Sequence, residues 1–277
     1  MRIALAQINP TVGDIAGNGR LIERFTQQAL EHQAHLVVFP ELAISGYPPR
    51  DLLYQEGFLD AAAGEAKRIG ESCSAGITLV FGVPLALRGD AADSASSRTP
   101  QRNPISNSLL AYRDGKMLDY YDKRLLPTYD VFDEDRYFMA GRRAVVIEVP
   151  GASGESMKVG LSICEDLWKG EDAGFSQRYV DETDPVPVLI ALGARLIVNP
   201  SASPFVLGKG KRHRDILRQH AMKHGVYVAA VNQVGGNDEL VFDGHAAVFD
   251  PAGQLLAAGK GFEEQLVIVE VSNESVA

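Results

Sequence analysis

Short apolar runs alternate along the chain with longer stretches whose apolar positions recur at helical spacing. Residues 2–8 make a first strand-like run that ends at Asn9-Pro10. Leu21, Ile22, Phe25, Ala29 and Leu30 then repeat with polar residues between them, the signature of one buried helix face. Residues 36–39 are continuously apolar and closed by Pro40, which suits a strand covered on both sides. The pattern predicts a second helix over 58–73 and a strand over 77–83. Strand, helix, strand, helix, strand predicts a layered α/β arrangement.

The middle of the chain reads as antiparallel. Residues 107–112 and 116–121 flank Arg113-Asp114-Gly115, and Asp-Gly favours a hairpin turn there. Strands are predicted over 144–149 and 157–163, and the helix-then-strand alternation returns before 195–199 and 226–232. Residues 246–250 and 254–258, joined by Pro251-Ala252-Gly253, read as a final hairpin. No internal repeat is visible. Mixed sheets with helices outside, in one domain spanning residues 1–277, is the expectation.

Composition narrows the classes of function. The 277 residues are 45% hydrophobic and 23% charged, enough apolar side chains for one substantial core. A net charge of −9 disfavours nucleic acid and anionic lipid as partners. The first ten residues form a strand pattern rather than a secretory leader. No apolar run approaches the roughly 20 residues a membrane helix needs. Two cysteines, Cys73 and Cys164, make neither a disulfide framework nor a structural zinc site. A cytoplasmic enzyme with no metal is expected. Residues 88–104, rich in Ala, Ser, Asp and Arg, read as a surface loop, and 169–187 has no function that can be derived.

Three strand ends carry reactive groups. Cys164 directly follows the apolar run of 157–163, where a nucleophile is exposed and the next backbone N–H groups can face an oxyanion. A buried cysteine acting as a small hydrophobe explains that segment alone equally well. Glu41 ends the strand closed by Phe39-Pro40, and Lys123 follows the strand of 116–121. Each in isolation reads as an ordinary surface charge. Together they supply what a thiol needs: a base to take its proton and a cation for the charge on the attacked oxygen. His220 and His224 have the i, i+4 spacing metal sites use, but no carboxylate motif accompanies them, so a boundary helix face is expected. The run Lys209, Lys211, Arg212, Arg214 and Arg218 reads first as a solvated helix start, and alternatively as a carboxylate or domain contact.

Phe39-Pro40-Glu41, Asp122-Lys123-Arg124-Leu125-Leu126-Pro127 and Ile163-Cys164-Glu165-Asp166 resemble the three signature blocks of the nitrilase superfamily, in that family's order. Longer strings are similar to the N-terminal glutaminase domain of glutamine-dependent NAD+ synthetases. They are Ser45-Gly46-Tyr47-Pro48-Pro49-Arg50-Asp51, the stretch from Leu126 to Phe138, and Asn232-Gln233-Val234-Gly235-Gly236-Asn237-Asp238-Glu239. The resemblance covers the chain from Arg2 to about Val271. It implies a four-layer α-β-β-α sandwich of the nitrilase type, hydrolysis of L-glutamine to glutamate and ammonia, and a homo-oligomer.

The resemblance also implies roles. Glu41, Lys123 and Cys164 would be the catalytic triad, and Tyr129 and Phe132 would wall the glutamine pocket. Glu165 would meet the α-amino group, and Ser201 or Ser203 the substrate's polar end. Glu134 is the nearest candidate for the second carboxylate many relatives use near the lysine. The ammonia would pass to a synthetase domain that makes NAD+. Neither its Ser-Gly-Gly-x-Asp-Ser loop nor a Walker loop occurs in this chain. ATP and Mg2+ would therefore belong to that other domain, with no cofactor for the glutaminase step. The readings to be separated from this one are a free-standing amidase for another small amide and a catalytically silent interaction domain.

Overall fold

In the computed structural model, β1 (Arg2–Gln7), β2 (Leu36–Val38) and β3 (Thr78–Ala86) lie side by side and parallel. Two amphipathic helices, α1 (Ile15–Glu31) and α2 (Phe58–Cys73), make the crossovers between them. Asp14 starts α1 by accepting the Gly17 N–H at 2.9 Å, which satisfies one of the free donors of the first turn. β4 (Ile105–Arg113) and β5 (Lys116–Asp122) add antiparallel on one side of this sheet, and β14 (Gln265–Glu270) pairs antiparallel with β1 on the other. The structure describes residues 1–87, 104–152, 154–169, 179 and 182–272. The loop expected over 88–104 lies outside the described residues but for its last position, as does much of 169–187.

The second half builds a matching sheet. β7 (Ser156–Leu161), β8 (Leu196–Ser201) and β9 (Tyr227–Asn232) are parallel. The crossover segments contain α3 (Pro185–Ala191) and α4 (Lys209–His224). β6 (Val146–Pro150) flanks β7, while β12 (Ala247–Phe249) and β13 (Leu255–Ala258) extend the sheet beyond β9, all antiparallel. A separate ribbon, β10 (Val234–Asn237) with β11 (Leu240–Asp243), is tied to the end of β1 by the Val234 N–H on the Ile8 carbonyl at 3.0 Å.

Side-chain alternation along the strands produces the layers. Ile3, Leu5, Leu36 and Val38 of one sheet meet Val159, Leu161, Leu196, Val198 and Val231 of the other in a central core. The intervening residues Ala4, Ala6 and Val37 face outward onto Ile22, Phe25, Ala29, Ala62 and Ile69 of α1 and α2. Ile197, Val228 and Ala230 face Val186, Leu189, Leu217 and Ala221 of α3 and α4. The result is the expected α-β-β-α sandwich. Both sheets are covered on both faces, which is why β2, the central parts of β1 and β9 and the first half of β8 read as apolar runs.

Two elements differ from the sequence expectation. The hairpin over 246–258 is not final, because β14 follows it and closes against β1. The ribbon β10–β11 lies in a stretch whose Gly235-Gly236 conceals a strand period. α3 is the helix that the alternation predicts before 195–199, and Asp184-Pro185 starts it: Asp184 accepts the Val186 N–H at 3.0 Å, and Pro185 occupies the first turn, where no N–H is needed.

Candidate active site

The strand ends that carried candidate residues converge on one edge of the sandwich. Glu41 leaves β2 through Phe39-Pro40, and its backbone lies so close to β3 that Gly82 admits no side chain. A Cβ there would meet Leu42 N at 2.1 Å and Glu41 C at 2.7 Å. The Glu41 side chain is fully buried. Its Oε1 accepts from Lys123 Nζ and Asn107 Nδ2, each at 2.7 Å, and its Oε2 accepts the Ala202 N–H at 2.9 Å. β4, the end of β5 and the end of β8 thus grip one carboxylate.

Lys123 is pinned through its backbone, with its N–H on the Asn107 carbonyl and its carbonyl on the Gly141 N–H, both 2.8 Å. Its ammonium lies 2.7 Å from Glu41 Oε1 and 2.8 Å from each carboxylate oxygen of Glu134. Tyr47 donates its hydroxyl to Glu134 Oε1 at 2.8 Å. Two buried carboxylates therefore share one buried ammonium. Burial works against the Lys123 charge, but Glu134 and then Glu41 outweigh it and hold the lysine well above its usual range. Burial, with Glu41 adding, pushes Glu134 up to about 7 against the pull of Lys123.

A raised carboxyl binds its proton more tightly folded than unfolded, so stability falls as pH rises from the ordinary 4.5 towards 7. Glu134→Gln, which keeps an acceptor without the charge, is expected to flatten that slope. The wild type should lose on the order of 3 kcal/mol relative to the variant across this window. Urea unfolding of both proteins at pH 5 and pH 8 measures it. Equal slopes would remove Glu134 as the cause.

Cys164 follows Ile163, which is extended, and itself takes φ +40°, a left-handed conformation unusual for a residue with a side chain. The chain then turns into a single 3-10 turn over Cys164–Leu167. Asn199 braces the turn from β8, with Nδ2 on the Ser162 hydroxyl at 3.1 Å and on the Cys164 carbonyl at 3.4 Å. Burial first and the Glu41 charge second raise the Cys164 thiol above its ordinary value, with Lys123 opposing them. At neutral pH the sulfur rests as a thiol, and a base is needed to ionise it.

Next to the cysteine, the buried Glu165 carboxylate accepts the hydroxyls of Tyr129 at 2.9 Å and of Tyr179 at 2.9 Å. The Tyr129 ring meets Phe132 edge-on with centroids 5.4 Å apart. Lys209 Nζ stands 5.6 Å from the Phe132 ring and 5.8 Å from the Trp168 ring. Lys209 is therefore not the solvated helix start expected of it, although Lys211, Arg212, Arg214 and Arg218 are exposed.

The two serines separate. Ser201 is buried, with its hydroxyl on Asn199 Oδ1 at 3.1 Å. Ser203 is half-buried and held through its backbone by the Asn232 side chain at 2.8 and 3.0 Å. It lines a cleft with Lys209, His213, Asn232 and His245.

Sequence reasoning found the residues at strand ends and missed those that reach in from elsewhere. Asn107 sits inside β4 and carries no motif. Tyr47 stands in the stretch over 45–51, where no reactive group at a strand end marks it. Tyr179 belongs to the stretch over 169–187 that offered no pattern. His220 uses its Nε2 on the Leu167 carbonyl at 2.8 Å and stacks on His224, as a boundary helix face would. Among the described residues no group of His, Cys, Asp and Glu is arranged to hold a metal. A separate cleft lined by Met1, Arg2, His35, Glu155 and Glu270 lies at the opposite strand ends and shares no residue with this cluster.

A thiol in a strained turn, a buried carboxylate and a buried ammonium are the means for nucleophilic attack on a carbon–nitrogen bond, and the comparisons agree with that class. The carbon-nitrogen hydrolase family model matches residues 2–277, and the chain belongs to that family. It is 36% identical over 267 residues to a glutamine-dependent NAD(+) synthetase of Synechocystis, covering 96% of this chain and 45% of that one. It is 38% identical over 274 residues to the protein of the same description from Xylella fastidiosa, covering 98% and 44%. The chain thus spans less than half the length of these curated relatives, matching their N-terminal part.

Among solved structures, the glutamine-dependent NAD+ synthetase of Acinetobacter baumannii superposes with a TM-score of 0.80 at 30% identity, over 96% of this chain and 44% of that one. An amidase from Nesterenkonia superposes with a TM-score of 0.76 at 27% identity, over 99% of this chain and 91% of that one.

Proposed function

We propose that this chain is the glutamine-hydrolysing unit of a glutamine-dependent NAD+ synthetase. The observation that carries the reading is the pair of opposite charges held on the aromatic cluster of Tyr129, Phe132 and Trp168, which adjoins the turn of Cys164. Glu165, held between two tyrosine hydroxyls, suits an α-ammonium group, and Lys209 above the Phe132 and Trp168 rings suits an α-carboxylate. A simple amide has neither group. Ser203 lies on the Lys209 side and is the better placed of the two serines to meet the substrate's polar end.

In this reading Glu41 accepts the Cys164 proton as the sulfur attacks the side-chain carboxamide carbon. The Lys123 ammonium and the Glu165 N–H hold the oxyanion of the tetrahedral intermediate. Glu41 returns the proton to the departing nitrogen, the C–N bond breaks, and ammonia leaves a glutamyl thioester. Water, deprotonated by Glu41, then releases glutamate and restores the thiol. Glu134 keeps Lys123 aimed at the reacting oxygen. Ammonia passes to a synthetase domain, where ATP and Mg2+ act, and hydrolysis itself runs on the side chains of this chain. A cytoplasmic homo-oligomer completes the reading.

Ammonia release from glutamine, asparagine, propionamide and butyramide tests it. Glutamine is expected to exceed propionamide and butyramide by ~100-fold or more in kcat/KM, because a pocket built for charged groups rejects ligands lacking them. It should also exceed asparagine, because a side chain one methylene shorter cannot bring its carboxamide to Cys164 while its charged groups are held. Simple amides turned over as well as glutamine would assign the chain to free-standing amidases instead.

A further inference from the structure

We propose that Asp166 is a positioning residue: its one buried carboxylate fixes the nucleophile turn and the lysine loop at a set distance from each other. The inference rests on the reading of Cys164 as nucleophile and Lys123 as oxyanion partner. Asp166 is fully buried. Its Oδ2 accepts the Ile163 N–H at 2.9 Å and the Tyr121 hydroxyl at 2.6 Å. Its Oδ1 accepts the N–H groups of Arg124 at 3.2 Å and Leu125 at 3.0 Å.

The placement of these four donors is what matters. Ile163 immediately precedes Cys164, and Arg124 and Leu125 immediately follow Lys123. Tyr121 lies on β5 of one sheet, while Asp166 follows β7 of the other. The carboxylate is thus a bolt across the sandwich at the level of the site. A carboxylate offers about four acceptor positions, and here each is taken by a donor. Cys164 holds a left-handed φ that only its surroundings can maintain, and the hydrogen bond to Ile163 acts on the residue just before it.

An asparagine has the same shape but not the same chemistry. If its oxygen keeps the two N–H groups of the lysine loop, its amide NH2 faces the Ile163 N–H donor against donor, while the Tyr121 hydroxyl can turn and accept from it. The nucleophile turn is then pushed from its place while Tyr129 and Lys209 remain. Removing the tyrosine hydroxyl takes away a partner of either side chain, so Tyr121→Phe should loosen the turn in the wild type and should not relieve Asp166→Asn.

The test compares wild type, Asp166→Asn, Tyr121→Phe and the double variant, each checked for fold by circular dichroism and melting. The readouts are kcat and KM for glutamine, and the rate at which a glutamine-like chloroketone alkylates Cys164. Asp166→Asn is expected to lower kcat and alkylation together by ~100-fold with KM within ~3-fold, the consequence of misplacing a reacting group by about an ångström. Tyr121→Phe alone should lower both by ~3–10-fold, and the double variant should react no faster than Asp166→Asn. Folded single variants that alkylate and turn over at the wild-type rate would overturn the proposal, since a merely structural bond would move the melting temperature alone. If Asp166→Asn does not fold, Tyr121→Phe decides by the same two rates. A wild-type protein that turns over glutamine without alkylation of Cys164 would instead remove the nucleophile reading, and this inference with it.

Discussion

Cys164→Ala is expected to reduce ammonia release from glutamine by at least ~10⁴-fold, to background, in a protein that still folds and still binds glutamine. The residue that follows β7 keeps its Cβ, so the left-handed turn is no more strained with alanine than with cysteine. The loss of one buried sulfur removes few contacts. The charges around it are untouched: Lys123 stays between Glu41 and Glu134, and Glu165 stays under Tyr129 and Tyr179. Binding and turnover should therefore part company completely. Calorimetric titration with glutamine and a coupled ammonia assay on the same preparation show it. Turnover within tenfold of wild type by the folded variant would exclude a thioester.

Glu41→Gln is expected to lower kcat by ~10³-fold or more without unfolding the protein. A general base contributes typically 10²–10⁴-fold, and this one would serve in both halves of the reaction. Retention of the fold follows from the charge count. Glu41 and Glu134 share one ammonium in a buried site, so neutralising Glu41 leaves a matched pair of Lys123 with Glu134. Removing the lysine does the opposite and leaves two buried carboxylates facing each other, a change that typically costs 3–5 kcal/mol. The two variants thus separate catalysis from stability. The comparison is made by steady-state kinetics and urea unfolding on Glu41→Gln against wild type. An active Glu41→Gln protein would exclude Glu41 as the base.

Much of this arrangement was legible because the fold writes it into the strands. β2, the second half of β7 and the first half of β8 are covered on both faces, so residues 36–38, 159–161 and 196–198 are unbroken apolar runs. A polar residue at the end of such a run, Glu41 or Cys164, stands out against it. Lys123 follows β5, where Met117 and Leu118 are exposed, so its motif marks it as much as its strand does. The rest depends on contacts between residues far apart in sequence. Asn107 meets Glu41 because β4 runs antiparallel beside β3, and nothing local in its strand marks it. Glu134 was only a nearest candidate, since its burial comes from Lys123 and Tyr47 rather than from its own short turn. Lys209 looked like one cation in a basic run. Its difference from Lys211 lies in the aromatic rings of Phe132 and Trp168, which two other loops bring beneath it.

The chain supplies its own control for the claim that Cys164 is the nucleophile, because its other thiol, Cys73, lies half-buried at the end of α2. Titrating the protein with an irreversible glutamine-like electrophile, while following turnover and mapping the adduct by peptide mass, tests that claim most directly. One equivalent should abolish turnover, with the adduct on Cys164 and none on Cys73, and excess glutamine should slow the labelling. Full turnover after stoichiometric labelling of Cys164, or inactivation with the adduct elsewhere, would contradict it.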